Sequence, residues 1–403
     1  MVQLKILAPM AVFAPSSGDR SARPAAILDS LTTVRFLAAF NVVVFHFGGD
    51  AIAHLPRAAR LIFERGYVSV SFFFVLSGFI LAYTYLNGRN SLARGDFYRA
   101  RFARIYPVYL LGFLLESVFV IHEIAQTHAP PAAIGTTLLA GGVTLLLLQS
   151  WIITLVPEWN PPGWSLSTEA FFYAIFPFAG RAVFRLSRSQ LGLACLLLGA
   201  LVFMPCVVDL SPFQGRPTAH QLDLVGSSPL LRSLEFLLGV LFGRIFLLDS
   251  PRTRGNGILF GATAVLVTLL CGSSQPLELW RERSLVLVFA ALIYGLASSK
   301  GHVRACLSFR PLVLLGQASY ALYILHWPLH RIALAIRAFV FHTGWDDPHP
   351  GTRFFILYLT AAIGVSILVL VFIETPARQY LRETRPRSGR ALTRCERPTV
   401  AGG

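Results

Sequence analysis

The chain has 403 residues, of which 55% are hydrophobic and only 14% charged, against roughly 25% charged in an ordinary soluble domain. Its net charge of +15 rests almost wholly on arginine, since Lys5 and Lys300 are the only lysines. A basic balance of this size points to nucleic acid, an anionic membrane surface or a phosphorylated ligand, and the hydrophobicity argues against the first.

Residues 1–27 hold a short apolar run around Ile6 to Ala14, with Arg20 and Arg23 after it. A secretory signal places its basic residues before the apolar run, so a cytoplasmic tail is expected instead. Beyond it, apolar blocks lie near 33–48, 68–86, 105–125, 134–156, 165–183, 191–209, 229–248, 256–272, 284–299, 317–341 and 353–373. Each is close to the length of a membrane span. The expected fold is all-α, a polytopic transmembrane bundle over residues 28–375, followed by a basic disordered tail over 376–403.

Arginines between the blocks set orientation, because cytoplasmic loops carry the excess of positive charge. Clusters at 89–104, 181–188, 244–254, 300–310 and 378–397 therefore read as inside, with both termini cytoplasmic in the inner (plasma) membrane. Arg57, Arg60 and Arg65 sit on the expected outer side and run mildly against the rule. Three blocks separate the inside clusters at 89–104 and 181–188, yet a return to the same side needs an even number of crossings. Block 134–156 holds Gly141 and Gly142 and precedes Pro157, Pro161 and Pro162, which suits a broken or re-entrant segment. That leaves about ten spans. The five cysteines (Cys195, Cys206, Cys271, Cys306 and Cys395) show no C-x-x-C and no metal-ligand spacing, so reduced thiols and no metal are expected.

Ionisable residues at membrane depth cost a few kcal/mol or more and are functional candidates by default. Arg35 and His46 are eleven positions apart, close to three helical turns, so they share one face about 16 Å apart along the axis. Each has a plainer reading, Arg35 as a snorkelling anchor and His46 as an interfacial residue. Ser69, Ser71, Ser77 and Gly78 are small residues of the kind that let membrane helices pack closely. Arg101 and Arg104 are i,i+3 neighbours, and guanidinium forks suit phosphate, although a topogenic cluster would look the same. After Trp164, the residues Ser165, Glu169 and Tyr173 form a polar i, i+4, i+8 stripe. A carboxylate there is either a proton-transfer group or a buried partner for an arginine. Ser319, Tyr323, His326 and His330 again share one face, with Pro328 able to kink the helix. Glu116, Glu235 and Glu374 read better as arginine partners or interfacial residues.

Five ordered motifs, Arg35-x10-His46, the Phe-Phe-Val-Leu-Ser-Gly-Phe run at 73–79, Arg101-x-x-Arg104-Ile-x-Pro-x-Tyr109, Trp164-Ser-Leu-Ser-x-Glu169-x-Phe-x-Tyr173 and Ser319-Tyr-x-x-Tyr-x-x-His326, together resemble the acyltransferase family 3 membrane proteins. One departure is Ser71, where that family usually shows an Asp-Leu-Phe-type sequence. The resemblance implies an acyl-CoA-dependent O-acyltransferase that moves acetyl or another short acyl group from cytoplasmic acyl-CoA to a hydroxyl of an extracytoplasmic glycan, a lipid-linked saccharide or a small molecule. It implies acyl-CoA as co-substrate with no bound cofactor, and the lipid bilayer but not nucleic acid as surroundings.

On that reading Arg35, Arg101 and Arg104 hold the coenzyme A phosphates while the pantetheine arm reaches toward His46. The imidazole, titrating at about 6.5 when unperturbed, either takes the proton of the acceptor hydroxyl or carries the acyl group transiently. Glu169 could orient His46 or relay its proton. Ser77, Trp164, Ser165, Tyr173, Ser319, Tyr323 and His326 would support the site or line its acceptor side. A proton-coupled transporter or flippase is the alternative, with Arg35, His46, Glu169 and His326 as a relay through the bundle. Paired broken segments in the two halves, expected of an inverted-repeat transporter, are not evident. A structural membrane partner, with arginines that only set topology, would leave His46 and Glu169 unexplained.

Overall fold

The computed structural model describes residues 22–88, 93–127, 131–152, 159–209, 226–249, 255–272, 278–342 and 350–383. These form helices and short helical turns, with no strand among the described residues. In chain order the helices are α1 Ala22–Phe47, α2 Gly49–Ile52, α3 Arg57–Glu64, α4 Ser69–Tyr85, α5 Arg94–Thr127, α6 Pro131–Leu145, α7 Trp164–Phe184, α8 Arg188–Val202, α9 Met204–Asp209, α10 Pro229–Leu248, α11 Gly255–Cys271, α12 Glu278–Ser298, α13 Gly301–Leu307, α14 Arg310–Phe341, α15 Thr352–Val369 and α16 Thr375–Glu383. The apolar blocks of the sequence are largely helical over their described residues, as backbone groups with no water to satisfy them require.

Among the described residues six helical stretches are long and apolar enough to cross a membrane: 28–47, 66–85, 94–126, 188–207, 310–341 and 352–381. Helices α7 and α10 are comparably long, with 21 and 20 residues, but carry ionisable side chains that turn inward. Helix α12 bends by 101° into α13. In block 134–156 the helix stops at Leu145, and Leu147 follows with φ of 58°; residues 153–158, with Pro157, lie outside the described residues. The tail expected from 376 begins as helix α16 and is helical as far as Glu383, because the preceding π-helical turn Leu370–Glu374 carries α15 directly into it. The rest of both expected tails, and Cys395, fall outside the described residues, while Cys195, Cys206, Cys271 and Cys306 are free thiols.

The bundle is oily outside as well as inside. Val118 and Ile121 of α5, Leu196 of α8 and Phe339 of α14 are exposed, an arrangement that lipid tolerates and water does not. Helices approach through glycine where backbones cross. A Cβ at Gly78 of α4 would lie 2.0 Å from the Phe236 carbonyl oxygen of α10, and one at Gly239 of α10 would lie 2.0 Å from that of Val75. Of the small residues expected to let α4 pack closely, Gly78 does so against α10, while Ser77 bonds Glu169 of α7 and Ser69 bonds Asn41 of α1.

Glu116, Glu235 and Glu374 all pair with arginines. The Arg331 guanidinium of α14 donates to Glu116 at 2.6 Å and also to Glu123, and Arg378 donates to Glu374. Glu235, buried at 1% exposure, accepts from Arg232 at 2.6 Å and pairs with Arg283 at 3.4 Å. Arg232 also donates to Ser71 at 2.9 Å. Deleting the carboxylate would leave two cations facing each other in low dielectric. Glu235→Ala is therefore expected to lower stability by about 3 to 5 kcal/mol, read as a fall in thermal midpoint of the purified protein in lipid nanodiscs; an unchanged midpoint would show that the cluster contributes nothing.

Candidate functional site

Helix α1 presents Arg35 and His46, and α4, α5, α7, α14 and α16 supply the side chains grouped around them. At the Arg35 end, α14 lies alongside α1 because Gly316 seats against Thr32: a Cβ at Gly316 would lie 2.1 Å from the Thr32 carbonyl oxygen. Further along, His46 Nδ1 and His326 Nε2 are 3.0 Å apart, their rings nearly parallel at 19°. His326 is fully buried, while the His46 ring is exposed on one side. Trp327 meets His46 edge-on, and Phe47 stacks on His330 with ring centres 3.7 Å apart. A cleft of about 300 Å³ is lined by Phe45, Gly49, Ile52, Ala53, Arg60 and Glu64, neighbours of His46 along the chain but not His46 itself.

The backbone beneath His326 is held by groups from elsewhere in the chain. Pro328 has no N–H to offer the carbonyl of Ile324, four residues before it. The Asn160 carboxamide donates to that carbonyl at 3.0 Å. Tyr358 of α15 donates to the His326 carbonyl at 2.7 Å. The expected kink residue therefore announces an unpaired carbonyl, but only the fold shows that Asn160 satisfies it.

Midway along the face, Glu169 Oε1 accepts from Ser77 at 3.0 Å and from Tyr173 at 2.5 Å. The i,i+4 stripe read from the sequence is real. Among the described residues Glu169 makes no hydrogen bond to either histidine, and His46 Nδ1 faces His326 instead. The relay of a transporter is not favoured, since among the described residues Glu169 and the histidine pair belong to separate hydrogen-bonded groups. Ser165 and Tyr323 share a hydrogen bond of 2.8 Å, and Ser165 donates to the Pro162 carbonyl at 3.0 Å, which leaves the Tyr323 hydroxyl as donor to Ser165. Trp164 lies over the Arg232 guanidinium. Ser319 bonds the Gly316 carbonyl of its own helix at 2.7 Å, so its hydroxyl is committed within α14 rather than to a ligand.

The opposite end is dominated by arginine. Arg35 of α1 is half-buried and lies in the electrostatic field of Arg104, Glu374, Glu169 and Arg378. Arg101 sits over the Phe97 and Tyr173 rings, with its Nε buried and without a hydrogen-bond partner. Among the described residues, Arg35, Arg101 and Arg104 make no ion pair with a carboxylate. Clustered, half-buried guanidiniums of this kind repel one another and are suited to an anion. Arg378 falls within the basic tail expected from residue 376. The π-helical turn brings it into the cluster, with Glu374 as its partner, and nothing local in the sequence signals that return.

The architecture is that of a helical membrane protein whose interior joins an arginine-rich end to a histidine pair. The chain belongs to the acyltransferase 3 family: the profile of that family, described as an acyltransferase domain, matches residues 28–372. It is 30% identical over 375 residues to the acyltransferase MdmB of Streptomyces mycarofaciens, covering 89% of this chain and 94% of that protein. It is 26% identical to the exopolysaccharide production protein ExoZ of Rhizobium meliloti, with 82% of this chain and 95% of ExoZ covered. Identity to the peptidoglycan O-acetyltransferase OatA of Listeria monocytogenes is 22%, over 87% of this chain and 56% of OatA. No solved structure matches the chain.

Proposed function

We propose that the protein moves an acetyl or other short acyl group from cytoplasmic acyl-CoA to a hydroxyl of an extracytoplasmic glycan or related acceptor. The topology that goes with it has about ten crossings, block 134–156 broken or re-entrant, and both termini at the cytoplasmic face of the inner membrane. The observation that carries the reading is α1 itself, with unpaired arginines at one end and an accessible imidazole about 16 Å further along by helix rise. A phosphate-rich head joined to a pantetheine arm of about that length has the matching shape. Relatives named for peptidoglycan O-acetylation and exopolysaccharide production support a glycan acceptor.

In the proposed step His46 Nε2 takes the proton of the acceptor hydroxyl as its oxygen attacks the thioester carbonyl carbon. The carbon–sulfur bond breaks, coenzyme A leaves as the thiolate and is then protonated, and the acyl group remains as an oxygen ester. Ser77, Glu169 and Tyr173 form the wall between the two ends, with Glu169 balancing part of the arginine charge. Arg35, Arg101 and Arg104 hold the phosphates, with Arg378 beside them.

The test is to supply labelled acetyl-CoA to inverted membrane vesicles and follow the label into a glycan fraction. Label that stays in acyl-CoA at the level of vesicles lacking the protein would overturn the reading. Within the same assay Arg101→Lys keeps the charge and loses the fork, so the KM for acyl-CoA is expected to rise roughly tenfold, the value of about one charge-assisted hydrogen bond. An unchanged KM would remove Arg101 from the donor site.

A further inference from the structure

The hydrogen bonds at the His46 end determine where its protons are. His326 Nδ1 lies 2.7 Å from the Tyr323 carbonyl oxygen. A carbonyl oxygen only accepts, so Nδ1 of His326 must carry a proton; with a lone pair there, two acceptors would be pressed together. The same ring is fully buried, and among the described residues no carboxylate bonds either histidine. A second proton on His326 would therefore be a buried charge without a counter-ion. Its Nε2 is then a lone pair, and the 3.0 Å contact to His46 Nδ1 needs its proton from His46.

We infer that His326 is a positioning residue that locks His46 in the tautomer with the proton on Nδ1, leaving His46 Nε2 as the only free base of the pair. The inference rests on the proposed role of His46 and sharpens it, because it names the nitrogen that acts and the group that selects it. A hydrogen-bonded second group of this kind is how an imidazole base is ordinarily oriented. Here that group is a neutral imidazole, itself anchored to the backbone, in place of the carboxylate expected from Glu169. When His46 Nε2 accepts the hydroxyl proton, the ring becomes an imidazolium whose Nδ1–H still donates to His326 Nε2. No proton has to move through His326, and none is lost from the pair until His46 returns it. Asn160 at the Ile324 carbonyl and Tyr358 at the His326 carbonyl hold the helix segment that supplies the acceptor.

The test uses the full chain in lipid nanodiscs with histidine ring nitrogens isotopically labelled and read by NMR, His46 and His326 being assigned by the signals lost in His46→Gln and His326→Gln. The wild type is expected to show His46 protonated at Nδ1 and bare at Nε2. In His326→Gln the carboxamide oxygen can still accept, so the His46 tautomer is kept and transfer stays within a few-fold of wild type. His326→Leu removes the acceptor, mixes the tautomers and lowers transfer at least tenfold in protein of unchanged thermal midpoint. A wild-type His46 carrying its proton on Nε2, or an unchanged tautomer in His326→Leu, would overturn the inference. Should wild-type vesicles move no label from acetyl-CoA, the donor assignment fails, and the tautomer measurement still decides the role of His326 by itself.

Discussion

His46→Ala is expected to lower acyl transfer by about 10²- to 10⁴-fold, the range supplied by a positioned general base, while acyl-CoA binding stays within about twofold of wild type. The two effects separate because the donor's phosphates are assigned to Arg35, Arg101 and Arg104, about 16 Å away along α1. Loss of the ring should leave the fold intact, since its outer side is open and its contacts are with the Trp327 and Phe45 rings and His326. The measurement pairs label transfer in vesicles with equilibrium binding of acyl-CoA to the purified variant. Equal transfer rates for the variant and wild type would show that His46 is not the base. Lost donor binding with an intact rate at saturation would place His46 in the donor site instead.

Gly316→Val should have the next largest effect, and for a reason remote from the chemistry. The first added carbon alone would lie 2.1 Å from the Thr32 carbonyl oxygen and 2.5 Å from its carbon, which are backbone atoms that cannot rotate away. Helices α1 and α14 must separate, at about 1 to 3 kcal/mol for overpacking. Their separation also loosens the hydrogen bond between His46 and His326, and a misplacement of about 1 Å can lower a rate on the order of 10²-fold. Thermal unfolding and transfer rate should thus both change, although every residue of the proposed site is retained. Gly364→Ala is the control: nothing lies within 4 Å of a Cβ there, and its stability should stay within about 0.5 kcal/mol of wild type. Wild-type transfer in Gly316→Val would mean that the close crossing of α1 and α14 does not set the histidine geometry.

Much of this protein is determined locally and can be read along the chain. Apolar blocks too long and too uncharged for a soluble protein become helices, because a backbone without water must pair with itself. Helical periodicity places Arg35 and His46 on one face and brings Tyr173 to Glu169 one turn away. The sequence also offers Glu116, Glu235 and Glu374 as arginine partners or interfacial residues, without saying which arginines. What lies on one helix is fixed by rise and twist, quantities that do not depend on the rest of the molecule.

What two helices share is a different matter. His46 and His326 are 280 residues apart and meet because Gly316 lets α14 come against Thr32. Glu169, the more obvious partner for a catalytic histidine, is taken up by Ser77 and Tyr173. Arg378 returns from what reads as a basic tail through a π-helical turn, and Asn160 answers a carbonyl that Pro328 leaves open. The tertiary structure alone decided these pairings, because helix contact depends on where small side chains admit a neighbouring backbone, and that depends on all the faces packed together at once. The sequence by itself determined which helices form and which residues each one carries on a face; the packing decided that the imidazole on α1 is answered by another imidazole rather than by a carboxylate.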